Sequence, residues 1–273
     1  MVEWTEGNTA FLSVVFTWDL PKAYQRAVWL SAEGYDVRAG GPAVLLMPDY
    51  LSNVARINGD GVDALPHHNP NATFTSRGCI RKCKFCAVPK IEGDLVELDQ
   101  WSVRPIVFDN NLLACSQRHF DLVIDSLLRL TDIDFNQGLD ARLLSAYHAD
   151  RLAQLKLSCV RLAWDHISEE PSVLRACDLL IAAGIPSRLI NVYVLIGFDD
   201  DPESALYRLQ TLKNLGYKPF PMRYQPLDTL RKNSYIAESW TQNELARYMK
   251  YWARQAYLSG IPFEQFRWPP SAF

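Results

Sequence analysis

The sequence predicts an α/β fold: a partial (β/α)6 TIM-like barrel of parallel strands with helices outside, a small N-terminal α/β extension and a C-terminal helix. Three observations predict it. Short β-branched and aromatic runs alternate with segments of helical periodicity, giving about six βα units between residues 70 and 258. Glycines stand just past two of the helical segments, at Gly184 and Gly216, where a helix stops. Residues 189–196 form an apolar run closed by Gly197, the strongest strand signal in the chain.

In chain order, residues 11–17 read as a strand, 22–32 as a helix and 35–38 as a second strand ending at Gly40-Gly41-Pro42. A β-like run, 72–76, leads into a loop with three cysteines. Residues 105–108 are a strand ending at Asp109-Asn110-Asn111. A helix at 116–130 follows, with Phe120, Val123, Ile124, Leu127 and Leu128 at helical spacing. Strands at 132–136 and 159–164 alternate with helices at 141–155 and 171–183. The helix 202–215 and the strand 218–224 complete the series. A Thr241/Glu244 capping box opens a helix over 241–258, with Leu245, Tyr248, Met249, Trp252 and Tyr257 along it. These elements divide into 1–66, a truncated doubly-wound-like extension, 67–258, the core, and 259–273, a tail packing on the core. The tail segment 263–273, with Trp268-Pro269-Pro270, is placed to cover the barrel mouth or to mediate a dimer.

Composition sets broad bounds. Of 273 residues, 48% are hydrophobic and 22% charged, a globular balance with room for one large domain and a small extra one. No apolar run approaches the ~20 residues that span a bilayer. The net charge of −3 gives no clear nucleic-acid signal. The start, Met1-Val2-Glu3-Trp4-Thr5-Glu6, is acidic and lacks the basic-then-apolar order of a secretory signal. A reducing, cytoplasmic setting is therefore expected.

Cys79, Cys83 and Cys86 are spaced C-x3-C-x2-C. Three thiolates so close in sequence can hold three irons of a cubic four-iron cluster and leave the fourth open. With six cysteines in 273 residues, roughly 0.003 accidental matches to this spacing are expected. A structural zinc knuckle with His67 or His68 is the alternative, but zinc sites more usually pair C-x2-C with a second distant pair, and none exists here. A disulfide framework does not suit a long, cysteine-poor chain. Cys115, Cys159 and Cys177 are scattered singly and read as small hydrophobes. The basic residues Arg77, Arg81, Lys82, Lys84 and Lys90 read as partial neutralisation of the thiolates.

With Phe85 just before its last cysteine, the motif resembles the signature of the radical S-adenosylmethionine (SAM) enzymes. The resemblance implies an oxygen-sensitive [4Fe-4S] cluster on the three cysteines, its open iron binding the amino and carboxylate groups of SAM. Reductive cleavage then yields methionine and a 5'-deoxyadenosyl radical that abstracts hydrogen from a substrate. An external electron donor such as flavodoxin or ferredoxin is implied. Site residues lie at the carboxyl ends of barrel strands. Phe85 joins the cofactor shell. Asp109, Asn110 and Asn111 stand where the family usually carries a Gly-Gly-acidic turn that binds the SAM amino group, and their oxygens can accept the same hydrogen bonds. A helix N-cap is the other reading. Gln137, Asp140 and Arg142 follow the third strand. Arg142 is suited to a bidentate pair with the SAM carboxylate, and Asp140 alternatively caps the helix from Ala141. Asp165 is a ribose hydroxyl partner, and His166 a proton-transfer group or a hydrogen-bonded structural one. Ile196 and Gly197 resemble the family's Gly-x-Ile-x-Gly-x-x-Glu region that packs on adenine, with valine for the first glycine and Asp for Glu. Gly197 suits close backbone approach to a flat ring or a structural turn. Arg223 and Tyr224 are the substrate-side candidates.

The first 65 residues resemble the end of the cobalamin-binding domain that precedes some radical SAM cores. The Asp-x-His-x-x-Gly motif of that domain is absent, so a cofactor-free remnant is expected and cobalamin is not. The stretch Thr73-Phe74-Thr75-Ser76-Arg77-Gly78-Cys79 is similar to the tRNA methylthiotransferases. Those enzymes add a second three-cysteine domain and an RNA-binding tail, which weighs against that role here. Cobalamin-dependent methyl transfer and a non-catalytic three-cysteine structural site are the alternatives to hydrogen abstraction. Fold alone does not choose the substrate.

Overall fold

The computed structural model describes residues 1–57 and 62–268, in two units. The smaller gathers Met1–Ala72, Arg81–Asp94 and Gln225–Ser234. Its strands β1 (Val2–Glu6), β2 (Thr9–Ser13), β3 (Asp36–Gly40) and β4 (Arg56–Ile57) lie in that order. β1 runs antiparallel to β2, while β2–β3 and β3–β4 are parallel. Helix α1 (Leu20–Ala32) buries Leu20, Ala23, Ala27 and Leu30, spaced three and four apart, with Ala10, Leu12, Val37 and Ala39 of the sheet. It starts two residues earlier than periodicity placed it, because Pro21 suits a first turn. The strand expected at 11–17 lies at Thr9–Ser13 instead. A 3-10 turn, Thr17–Asp19, takes up the chain after it. Gly41, at φ 95°, admits no side chain, since a Cβ there would lie 2.7 Å from the Val14 carbonyl oxygen. Short helices α2 (Pro42–Leu46), α3 (Leu65–His68) and α4 (Val88–Ile91) complete this unit.

The larger unit holds Thr73–Ile80, Leu95–Tyr224 and the chain from Tyr235 onward. The run expected as one strand at 72–76 divides into β5 (Ala72–Thr73) and β6 (Ser76–Arg77), and β6 pairs antiparallel with β7 (Val96–Glu97). The main sheet then follows the chain: β8 (Ile106–Val107), α5 (Gln117–Leu127), β9 (Ile133–Phe135), α6 (Ala146–Leu152), β10 (Leu157–Trp164), α7 (Glu170–Ala182), β11 (Ile190–Ile196), α8 (Pro202–Asn214) and β12 (Lys218–Arg223). Its order is β12-β11-β10-β9-β8-β5, which follows the chain with the β6–β7 pair set between β5 and β8, and the pairs from β8 to β12 are parallel. The expected α/β class with parallel strands is what is observed.

Strand alternation decides what each face does. Val160, Leu162, Trp164, Val192, Val194 and Ile196 join one core with Val173, Ala176, Leu180, Leu209 and Leu212 of α7 and α8. Each such side chain stabilises the fold by about 1.5–3 kcal/mol on burial. Arg161, Asn191 and Tyr193 take the opposite parity. The edge strand β12 alternates buried Pro219 and Pro221 with exposed Phe220 and Met222.

Two helices differ from expectation. That expected at 141–155 begins at Ala146, because Ser145 forms a capping box with His148, so Asp140 is not its cap. The helix expected over 241–258 is capped by Thr241 and Glu244 as read, but α9 (Gln242–Tyr248) passes into a π-turn at Met249–Ala253 and a 3-10 turn at Ala256–Ser259. Phe263 of the tail packs on Tyr248 and Tyr251, while Pro269, Pro270 and the rest of the expected closing segment lie outside the described residues. Among the described residues no helix is long and apolar enough to cross a membrane.

Candidate functional site

The cysteine loop leaves the larger unit from a buried polar knot. Asp109, 4% exposed at the end of β8, accepts hydrogen bonds from the Thr75 backbone N–H at 2.6 Å, the Thr75 hydroxyl, and the Ser76 hydroxyl at 2.9 Å. His119 of α5, 5% exposed, brings Nε2 to 3.2 Å from Thr75 Oγ1, with Trp101 tilted against its ring. Three of the groups that fix Asp109 thus belong to the two residues just before the Arg77-Gly78-Cys79 turn. Asp109, expected to meet a ligand, holds the loop's base through both of its carboxylate oxygens. Thr75→Val strips a donor from a buried carboxylate and is expected to destabilise the chain by about 1–3 kcal/mol. Urea unfolding measures it, and an unchanged midpoint would dismiss the knot's importance.

Among the described residues no disulfide is formed and no three His, Cys, Asp or Glu side chains are gathered around one metal position. Cys79 belongs to the larger unit and Cys83 and Cys86 to the smaller, where Cys86 N–H closes a turn on Cys83 O at 3.1 Å. Phe85, within that turn, is half-buried. His67 stacks on Trp4 at 4.0 Å, and His68 Nε2 lies 2.9 Å from Ser13 Oγ.

A continuous polar chain runs across the carboxyl ends of β8, β9 and β10. Asn111 Nδ2 donates to Asp140 Oδ2 at 3.1 Å and to Cys79 Sγ at 3.7 Å. Arg142 donates from Nε to Asp140 Oδ1 at 2.7 Å and from Nη1 to Glu169 Oε1 at 2.9 Å. The other Glu169 oxygen accepts the Asp165 backbone N–H at 2.9 Å. Asn111 Oδ1 is buried with no hydrogen-bond partner among the described residues. An orphaned buried acceptor is costly unless a ligand donor meets it. Asn111 precedes the 3-10 turn Leu112–Ala114 without capping it, and Ser116 caps α5. The N-cap reading of this segment therefore fails.

Glu169 was not legible as a site residue. The one signal was a second carboxylate four positions after Asp165 in the same strand-end loop. Burial first, and then the Glu169 charge, push the Asp165 carboxyl up to about 6. Because the folded value lies above the unfolded one, the stability difference is fully present below about pH 4 and is lost as pH rises through 6. The loss amounts to about 3 kcal/mol. Asp165→Asn is expected to remove most of this slope, measured as urea midpoints at pH 4 and pH 7. Equal slopes in the two proteins would refute it.

The remaining strand-end candidates divide. His166 Nδ1 accepts the Ser168 N–H at 3.2 Å and faces its hydroxyl at 2.8 Å, capping the 3-10 turn. Gln137 is exposed and Asn110 half-buried. Ile196 is fully buried in the helix-packed core rather than presented to a ligand. Gly197, at φ 73°, would carry a Cβ only 2.9 Å from Leu245 Cδ2, which favours the structural-turn reading. Its N–H donates to Asp200 Oδ1 at 2.8 Å. Asp200 also receives Arg208 Nη2 at 2.6 Å and Trp240 Nε1 at 3.0 Å. Arg208, wholly buried on α8, donates from Nη1 to the carbonyls of Trp164, Asp165 and Leu195. Arg223 Nη2 donates to Tyr235 O and Gln242 Oε1, both at 2.8 Å, and Tyr224 packs between Phe198 and Tyr235.

Sequence reading missed a second polar group on the opposite face of the sheet. Arg161 pairs bidentately with Asp134, both contacts at 2.7 Å, and donates to the Tyr193 hydroxyl at 2.8 Å. Burial acts to raise the Asp134 carboxyl, but Arg161 outweighs it and holds the group below its usual range. The signal was Arg161 itself, a charge at an alternate position of an otherwise apolar strand.

The chain thus combines parallel strands in sequence order, a three-cysteine loop after the first and a polar chain across the strand ends. No family model matches it. It is 27% identical over 140 residues to the ribosomal protein uS12 methylthiotransferase RimO of Klebsiella pneumoniae subsp. pneumoniae, 51% of this chain and 26% of that protein. The RimO of Shigella boydii serotype 18 is 28% identical over 140 residues, with the same two shares. That of Actinobacillus succinogenes is 27% identical over 154 residues, 56% of this chain and 30% of the relative. The matched segment spans little more than a quarter of these curated relatives. They are enzymes by name.

Proposed function

We propose that the chain is the core of a radical SAM enzyme, with the six strands of the main sheet forming a partial barrel. The observation that carries this is the C-x3-C-x2-C loop between the first and second strands of that series. The residues present suit such a group in their chemistry: three free cysteines in one loop, an amide N–H aimed at one sulfur, and an orphaned acceptor beside it. Cys79, Cys83 and Cys86 would hold a [4Fe-4S] cluster, which when bound supplies the electron that cleaves SAM to a 5'-deoxyadenosyl radical. Asn111 Oδ1 and Asp140 offer acceptors for the SAM ammonium. Arg142, already divided between Asp140 and Glu169, has the planar fork that suits a carboxylate. Asp165 suits a ribose hydroxyl. Arg223 and Tyr224, at the end of β12, are the substrate-side residues. Electrons come from an external donor such as a flavodoxin or ferredoxin, and the cysteines require a reducing compartment.

A second reading, methylthio transfer to a macromolecule, draws on the relatives' names and on the segment Thr73–Cys79. Hydrogen abstraction is common to both readings. The test is anaerobic purification, reconstitution with iron and sulfide, and addition of dithionite with SAM. Formation of 5'-deoxyadenosine is expected. Stoichiometric zinc with no iron spectrum would end the enzyme reading and leave a structural three-cysteine site.

A further inference from the structure

We infer that Asn111 sets the electron affinity of the metal centre through its hydrogen bond to Cys79, and that Asp140 is the positioning residue that orients it. The inference rests on Cys79 being a cluster ligand. Asn111 is 3% exposed, and its Nδ2 reaches both Cys79 Sγ at 3.7 Å and Asp140 Oδ2 at 3.1 Å. A thiolate and a carboxylate are both acceptors only, so the amide must present its N–H side to them and its oxygen away. Arg142 fixes Asp140 in turn, through Nε and through its backbone N–H at 3.1 Å. The donor is thus aimed by a chain of three residues, each held by the next.

A hydrogen bond to a cluster sulfur favours the reduced, more negative state and raises the reduction potential. Burial strengthens the effect, since a hydrogen bond is electrostatically stronger in low-dielectric surroundings and Asn111 and Cys79 are 3% and 8% exposed. An Asn here therefore makes the electron easier to accept than an apolar residue of the same size would.

The experiment is an anaerobic redox titration of the reconstituted chain, following the reduced cluster by electron paramagnetic resonance without SAM. Asn111→Leu is expected to lower the ratio of reduced to oxidised cluster at a fixed potential about tenfold, equivalent to about 59 mV for a one-electron couple. Asp140→Glu, which keeps the charge but displaces the carboxylate from Asn111 Nδ2, is expected to shift it the same way by less. Asn111→Asp keeps the shape but replaces the donor by a carboxylate, and is expected to shift it at least as far as leucine does. If Asn111→Leu fails to load iron, the other two variants report the same quantity. Equal midpoints at full iron content would overturn the inference and leave the cluster reading standing. A wild-type chain that takes no iron would overturn both.

Discussion

Cys83→Ala is expected to abolish both the iron spectrum and 5'-deoxyadenosine formation, while alanine at Cys115, Cys159 or Cys177 leaves both in place. The contrast is physical. A cluster needs thiolates, and burial pushes the Cys115 thiol up to about 11 and the Cys177 thiol up to about 12, so both stay protonated near neutral pH. Cys159 is raised too, by burial and then by the Asp134 charge beside it. Cys115 and Cys177 pack against the apolar core while Cys159 Sγ donates to Asp134 Oδ1 at 3.4 Å, and losing a sulfur from one costs about 1 kcal/mol of stability rather than the metal. The measurement is iron content and deoxyadenosine by chromatography on all four variants. A Cys83→Ala protein that still cleaves SAM would sink the assignment of the loop.

Arg208→Ala is expected to destabilise the larger unit by about 3–5 kcal/mol, a large share of the ~5–15 kcal/mol a typical domain has. Three backbone carbonyls at the ends of β10 and β11 lose their donor at once, and Asp200 is left as a buried carboxylate with its cation gone. Replacing both partners, as in Asp200→Leu with Arg208→Met, removes the stranded charge and is expected to recover part of the loss. Urea unfolding of the single and double variants checks this. A double variant no better than Arg208→Ala would show that the carbonyl contacts, not the charge, dominate.

How far these features could be read from residues alone follows from their physics. The strands and helices from β8 to β12 were legible because apolar periodicity is local, and the long runs at Leu157–Trp164 and Ile190–Ile196 leave little choice. β1 and β4 were not, since Val2–Glu6 is half-exposed and Arg56–Ile57 is too short to show a period. Asp109 was legible as a strand-end carboxylate, but its partners Thr75 and Ser76, 34 and 33 positions away, were not. Arg208 was invisible: in a helix, an arginine reads as a solvent residue until the fold buries it. Asp140 and Arg142 were legible as polar residues at a strand end, but the intervening Glu169 that joins them to Asp165 was not.

The two prolines of β12 have a consequence outside the site. In a parallel ladder, alternate residues send their amide hydrogens to opposite sides, and the Tyr224 amide, just past the strand, reaches inward to Ile196 O. Residues 218, 220 and 222 share that parity, so positions 219 and 221 point their nitrogens outward, and proline leaves no hydrogen on either. The outer rim of the sheet therefore offers acceptors without donors over its middle. A second chain cannot zip onto it, and this open flank is proofed against strand-by-strand self-association while its phenylalanine and methionine side chains stay accessible.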